Sequence, residues 1–262
     1  MKRVLVFGSR GMLGHQVVKH LGEQDDIEVR GLGREDFEVG ADSHKSLGSM
    51  YPNFDYVINC IGVIRPEDSN PQPAILANAL FPHDLVKYMA PARVIHISTD
   101  CVFSGSRGGY CEWSVHDGVG LYSKSKSLGE PNGAMVLRTS IVGVEPTTDR
   151  SLISWAKSKK GKAVQGYANH LWNGMTTNTL ADVLLQIIRQ DLWYTGPAHI
   201  TSDLTNKADM LRMISERYDL GLRVADKDGP HRIMTLSQDT LQSQQLRDAL
   251  DIPPIAQQIA EL

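Results

Sequence analysis

A short apolar strand that runs straight into a glycine loop limits what this chain can fold into. Residues 1–7 (MKRVLVF) lead into Gly8, Ser9, Arg10, Gly11, Met12, Leu13 and Gly14, and residues 15–21 then follow a helical apolar pattern. Glycines at such a junction let the backbone turn tightly, approach a pyrophosphate and aim a helix N-terminus at its charge. A glycine triplet alone would be a weak signal. The flanking strand and helix, together with Tyr122-Ser-Lys-Ser-Lys126 further along, give it weight and point to a nicotinamide-dependent enzyme.

The rest of the chain keeps the same rhythm. Residues 27–32, 56–61, 93–98 and 134–138 read as short apolar strands bounded by polar or glycine residues. Residues 74–90 form a helical pattern that Pro82 should kink or split, and 122–130 form another, stopped by Pro131. Strict alternation predicts an α/β fold, a Rossmann-type doubly wound parallel sheet with right-handed crossovers, over residues 1–143. From Val144 the rhythm changes: helices at 151–159, 179–190 and 207–218 and a short strand at 198–201 predict a smaller C-terminal substrate-binding lobe. That lobe takes most of 144–262, with some segments returning to the first domain. No linker, repeat or low-complexity stretch separates the two parts, so the active site is expected in a cleft between them, beyond the C-terminal strand edges.

With 262 residues, 41% of them hydrophobic, the chain can bury a substantial core. A net charge of −3 offers no basic footprint, so nucleic acid is not an expected partner. The first apolar stretch is too short to span a bilayer and no cleavable signal pattern precedes it, which predicts no membrane partner and a cytoplasmic protein. Cys60, Cys101 and Cys111 match neither a zinc nor a disulfide framework and are expected as reduced thiols. His15 and His20, five apart, lack a carboxylate at useful spacing, and no metal is expected.

Tyr122 and Lys126 stand four apart, on one face of a helix, where an ammonium can favour the ionised phenol and make it a general acid near neutrality. The same spacing also occurs on ordinary solvated helices. Ser98, Thr99 and Asp100 end an apolar strand at the edge where ligands bind, so a hydroxyl there can meet a substrate carbonyl or simply satisfy local backbone.

These motifs together resemble the extended short-chain dehydrogenase/reductases, and within them the dTDP-4-dehydrorhamnose reductase group. The resemblance covers nearly the whole chain. It is carried by the 8–14 loop, Asn59-Cys60-Ile61-Gly62, Asn78, Ser98-Thr99-Asp100-Cys101-Val102-Phe103, Tyr122-Ser-Lys-Ser-Lys126 with Gly129-Glu130, and Leu137-Arg138-Thr139-Ser140. It implies Thr99, Tyr122 and Lys126 as the catalytic triad, with Lys126 also on the nicotinamide ribose. It implies a cofactor held by residues 8–14, by Asn59, Cys60, Ile61 and Gly62, and by Asn78, Ser98 and Tyr122. Asp100, Cys101, Val102 and Phe103 would then meet the substrate. The family usually has tyrosine where this chain has Cys101, which is read as packing. The C-terminal lobe resembles a divergent branch.

Charge bears on the second half of the cofactor. Arg34 follows the second strand where an acidic residue would favour NAD, and Arg10 in the loop can turn the same way, so the pair can clamp the extra phosphate of NADP. Glu35 and Asp36 can instead pair with Arg34 or bind a ribose; NADPH is favoured over NADH. Arg138, Trp172, Asn173 and Tyr167 can meet a nucleotide-diphosphate sugar, although the aromatics also suit a core. The expected reaction is NADPH-dependent reduction of a nucleotide-activated 4-keto-deoxysugar in surface polysaccharide precursor synthesis. A nucleotide-sugar epimerase or dehydratase remains open. So does a non-catalytic role, because the resemblance extends to the regulatory subunit of methionine adenosyltransferase. A homodimer is compatible with the sequence.

Overall fold

The computed structural model describes residues 1–67, 69–147 and 149–262. The chain opens with β1 (Lys2–Phe7), α1 (Gly14–Gly22) and β2 (Ile27–Leu32), then a short α2 (Leu47–Met50) and β3 (Tyr56–Asn59). Next come α3 (Gln72–Ala74), α4 (Phe81–Tyr88), β4 (Arg93–Ile97), α5 (Gly120–Leu128) and β5 (Met135–Arg138). After β6 (Ile141–Val142) and α6 (Leu152–Lys157) the chain forms β7 (Ala163–Tyr167), β8 (His170–Trp172) and β9 (Met175–Thr176). It then forms α7 (Thr177–Arg189) and β10 (Gly196–His199), and ends with β11 (Thr205–Asn206), α8 (Lys207–Arg217), β12 (Arg223–Lys227), β13 (Arg232–Met234), α9 (Leu241–Ala249) and α10 (Ile255–Ala260).

Six strands make one parallel sheet in the order β10-β5-β4-β3-β1-β2. The chain leaves β1 for β2 on one side and returns as β3 on the other, so the strand order reverses beside β1. Ligands of open α/β sheets bind at such a switch point, beyond the carboxyl ends of the strands. Alternate residues of β1 enter two separate cores. Val4 and Val6 pack with Val17 and Leu21 of α1 and with Leu180, Leu184 and Ile187 of α7, whereas Leu5 and Phe7 pack with Leu47, Phe81 and Leu85.

The strand expected near 198–201 spans Gly196–His199 and is not part of the lobe: it is the sixth strand of the main sheet, hydrogen-bonded to β5 from Gly196 opposite Met135 to His199 opposite Arg138. α7 goes with it. Buried leucine, isoleucine and valine side chains contribute about 1.5–3 kcal/mol each, and those of α7 lie against β1 and α1. The lobe has its own core, in which Trp172, Met210, Ile214, Met234 and Ile259 meet. The helical pattern over 74–90 is not split: residues 72–88 form one unbroken helical run that contains Pro82, which cannot donate an intrahelical bond. It sits in the first turn of α4, and between α3 and α4 the chain widens into a π-helical turn, Ile75–Leu80, that buries Asn78. Among the described residues no helix is long and apolar enough to cross a membrane.

Candidate active site

The glycine loop lies at the switch point. Gly8 has φ +77°, a left-handed conformation that favours glycine, and a Cβ on Gly14 would overlap the Gly8 carbonyl. The loop is closed by its own backbone: Gly8 and Ser9 N–H both donate to Leu32 O, at 3.0 and 3.1 Å, and Gly11 N–H donates to Gly8 O at 3.0 Å. α1 begins at Gly14, with its positive end on the loop. Leu13 is in the core, so only its backbone is available, whereas Ser9 and Met12 are half-buried. Across the loop, a Cβ on Gly8 would stand 3.1 Å from Cys60 and Ile61, the residues that leave β3. A tight turn that lacks Cβ atoms where a ligand must approach, at the head of a helix, fits a dinucleotide pyrophosphate.

β4 delivers the second component. Past Ile97, Thr99 caps a single 3₁₀ turn over Asp100–Val102: its hydroxyl accepts from Cys101 N–H at 3.1 Å and donates to Asp100 Oδ1 at 3.1 Å. α5 delivers Tyr122 and Lys126, seated closely because a Cβ on Gly129, just past its end, would overlap the Asn78 carbonyl. Burial pushes the Tyr122 phenol above its usual range, the charges of Cys101 and Asp100 add to the effect, and only the facing Thr99 hydroxyl opposes it. This corrects the expectation that Lys126 brings the phenol toward neutrality: Tyr122 is held protonated. Lys126 Nζ instead donates to Ile97 O at 2.8 Å and lies 3.2 Å from His96 Nε2. Burial brings its ammonium down to about 8, against the opposing pull of Glu130 and Cys60.

Several side chains expected on ligands are committed elsewhere. Asn78 is fully buried and brackets the loop after β3, its Oδ1 accepting from Val63 N–H at 2.8 Å while Nδ2 donates to Val63 O and Ser125 Oγ, both at 3.0 Å. Ser98 donates to Glu130 Oε1 at 2.6 Å. Arg138 clasps Glu130 through Nε at 2.9 and 3.1 Å and Nη2 at 2.6 Å, gives Nη1 to Glu112 O at 3.0 Å, and has only 6% of its side chain exposed. A guanidinium so enclosed cannot meet a diphosphate. Val102 and Phe103 are core, Phe103 stacking on Tyr110 with centroids 4.4 Å apart. Trp172 is in the lobe core, Asn173 clamps Leu236 through both backbone groups at 2.9 and 3.0 Å, and the Tyr167 ring lies against His170.

The lobe presents two cations to this edge that no local pattern marks. Lys207 starts α8, 5.8 Å from the Trp172 ring centroid; burial lowers its ammonium, while Asp100 draws it up and Arg232 of β13 pushes it down. In the sequence Lys207 looks like any lysine at a helix start, and only the fold sets it and Arg232 near Asp100 and Cys101. Cys60, Cys101 and Cys111 are free thiols, and burial, with the neighbouring Asp100, pushes Cys101 up to about 12. A thiol so held is no nucleophile at neutral pH. Cys101→Ser should therefore keep most of the activity, as measured by turnover at saturating cofactor; near-complete loss in a folded variant would restore a chemical role for the sulfur.

The arginines expected on the extra phosphate both reach acidic neighbours. Arg10 pairs with Glu35, and Arg34 approaches Glu38 at 3.8 Å with 87% of its side chain exposed. They stand free enough to turn to a ligand, and Glu35 competes for the first.

The sequence profile described as RmlD substrate binding domain matches residues 1–254. A probable dTDP-4,6-dihydroxy-2-methyloxan-3-one 4-ketoreductase of Streptomyces antibioticus is 28% identical over 201 residues, 71% of this chain and 67% of that protein. Methionine adenosyltransferase 2 subunit beta of Xenopus tropicalis is 33% identical over 159 residues, 54% of this chain and 47% of that protein, so the match spans about half the length of that relative. Among solved structures, dTDP-4-dehydrorhamnose reductase of Bacillus anthracis in complex with NADP superimposes with a TM-score of 0.82 at 17% identity, covering 100% of this chain and 98% of that one; at this identity the likeness speaks for the fold alone.

Proposed function

The chain belongs to the RmlD substrate binding domain family, and on that premise we propose that it is a nicotinamide-dependent reductase of a nucleotide-activated 4-keto sugar, serving the synthesis of glycan precursors. The observation that supports this reading is that the Tyr122 phenol faces the Thr99 hydroxyl just past β4 while Lys126, one turn on along α5, donates to Ile97 O at the end of that strand. When bound, a reduced nicotinamide supplies the hydride. The chain's own residues handle the proton. Tyr122, kept as a neutral phenol, donates to the carbonyl oxygen as negative charge develops there, and Thr99, by turning its hydroxyl proton away from Asp100 Oδ1, offers that oxygen a second hydrogen bond. Lys126, drawn down to about 8 and one turn from Tyr122 along α5, can supply a replacement proton and can donate to a ribose hydroxyl. The loop 8–14 and the segment 59–62 hold the dinucleotide. Lys207 and Arg232 supply the positive charge that a diphosphate needs, in place of Arg138.

NADPH is favoured by Arg10 and Arg34, and the preference rests on exposed contacts. The testing experiment follows oxidation of NADPH and of NADH with dTDP-, UDP-, GDP- and CDP-linked 4-keto sugars. Consumption of one mole of cofactor per mole of sugar is expected. Replacing Arg10 and Arg34 together by alanine should weaken NADPH by about tenfold, the low end for charge-assisted contacts at an exposed site, with NADH little changed. Equal affinity of the unmodified protein for both cofactors would refute the clamp. Isomerised or dehydrated sugar without net consumption would mark an epimerase or dehydratase. The match to the methionine adenosyltransferase subunit favours a binding role as second reading, and cofactor binding without turnover of any sugar would uphold it.

A further inference from the structure

Behind Lys126 lie two buried groups that restrict how its proton can be held. Asn59, at the end of β3, stands in register with His96 on β4, and both are fully buried. The Asn59 amide has one acceptable orientation, because its Oδ1 accepts the Ile61 N–H at 3.1 Å. Its Nδ2 therefore faces His96 Nδ1, at 3.1 Å, and makes that ring nitrogen an acceptor. A neutral imidazole with Nδ1 accepting carries its proton on Nε2. His96 Nε2 is 3.2 Å from Lys126 Nζ. An ammonium has only donors to set against that N–H, whereas a free amine accepts it through the lone pair and still donates to Ile97 O.

We propose that His96, locked by Asn59 as its Nε2–H form, is a positioning residue that stabilises Lys126 as a neutral amine, so that this lysine exchanges protons instead of standing as a permanent cation. The other groups around the pair are consistent with this. Lys126 is faced by Cys60 after β3 and Glu130 beyond α5, and shares its helix face with Tyr122; the His96 ring is faced by His83 from α4. Burial first, and then the charges of Lys126 and His83, hold His96 well below its usual range, so the ring stays neutral while Lys126 titrates. Glu130 and Cys60 favour the ammonium, and the His96 N–H opposes them.

The inference takes from the proposed function only that Lys126 serves the site, and it is tested without turnover. Nuclear magnetic resonance of the whole protein labelled at histidine nitrogens and lysine Cε would be followed from pH 6 to 10, with His96 and Lys126 assigned by His96→Leu and Lys126→Met. His96 should show an unprotonated Nδ1 and a protonated Nε2 throughout. The Lys126 midpoint should rise by about one pH unit in His96→Leu, the size of one neutral hydrogen bond together with relief of the opposed donors. A proton on His96 Nδ1, or a Lys126 midpoint unmoved by His96→Leu, would overturn the inference. Should His96→Leu fail to fold, the tautomer in the unmodified protein decides alone. A protein with the expected tautomer and midpoint that reduces no sugar would refute the reductase reading and leave this one standing.

Discussion

Tyr122→Phe should slow single-turnover reduction of an accepted keto sugar by about 10²–10⁴-fold, the usual contribution of a positioned general acid, or roughly 3–5.5 kcal/mol of transition-state stabilisation. The ring keeps its place on α5, so the fold and cofactor affinity should be retained. The phenol is raised by burial, by Cys101 and by Asp100, so it stays protonated across the neutral range and sets no alkaline limb there. Loss of activity as pH rises past about 8 belongs instead to Lys126, as that ammonium gives up its proton. A Tyr122→Phe protein that reduces its sugar at the unmodified rate would show the tyrosine to be structural, and the mechanism would fall with it.

Arg138→Ala should cost about 3–5 kcal/mol of stability, because it leaves the Glu130 carboxylate buried without its partner. For a chain of this size that lowers the melting temperature by about 10 °C, measurable by calorimetry. Burial alone would raise Glu130, but hydrogen bonds and charge from Arg138, with Ser98 and His116, outweigh it and leave the group lowered. A carboxylate depressed in the folded state stabilises above its unfolded range, near 4.3, and that contribution disappears as pH falls through the folded value. The unmodified protein should therefore lose stability in acid, and the penalty of Arg138→Ala should shrink there. Arg138→Lys should rescue only partly, since an ammonium cannot reproduce the two-pronged contact. An Arg138→Ala protein with unchanged melting temperature and raised KM would return Arg138 to the substrate side.

What could be read from residues alone follows the range of the interaction. The strand-loop-helix start, the alternation of layers and the Tyr122–Lys126 face are local patterns, and the six-stranded parallel sheet agrees with them. The strand near 198 was legible as a strand, but its neighbour was not, because pairing with β5 depends on the path of the chain through the lobe. Arg138 shows the limit at the site. An arginine at the end of an apolar strand is as suitable for a diphosphate as for a carboxylate, and only the approach of Glu130 decides between them. Lys207, Arg232 and His96 lie far from Tyr122 in sequence and carry no periodic or spacing signal; three-dimensional proximity is what sets them at the site.

The return of α7 and β10 to the sheet has a consequence for the order in which the molecule can be assembled. A ribosome releases the chain from its N-terminus, and domains tend to fold as units once complete. Here α1 and β1 emerge early, yet the apolar faces of Val4, Val6, Val17 and Leu21 are covered by α7, and β5 keeps an open edge until residues 196–199 have appeared. The nascent protein must therefore carry its glycine loop on an unfinished layer while the residues between β5 and α7 are made, and the sheet gains its last strand at residue 199, before Met210, Ile214, Met234 and Ile259 have appeared to complete the core of the lobe.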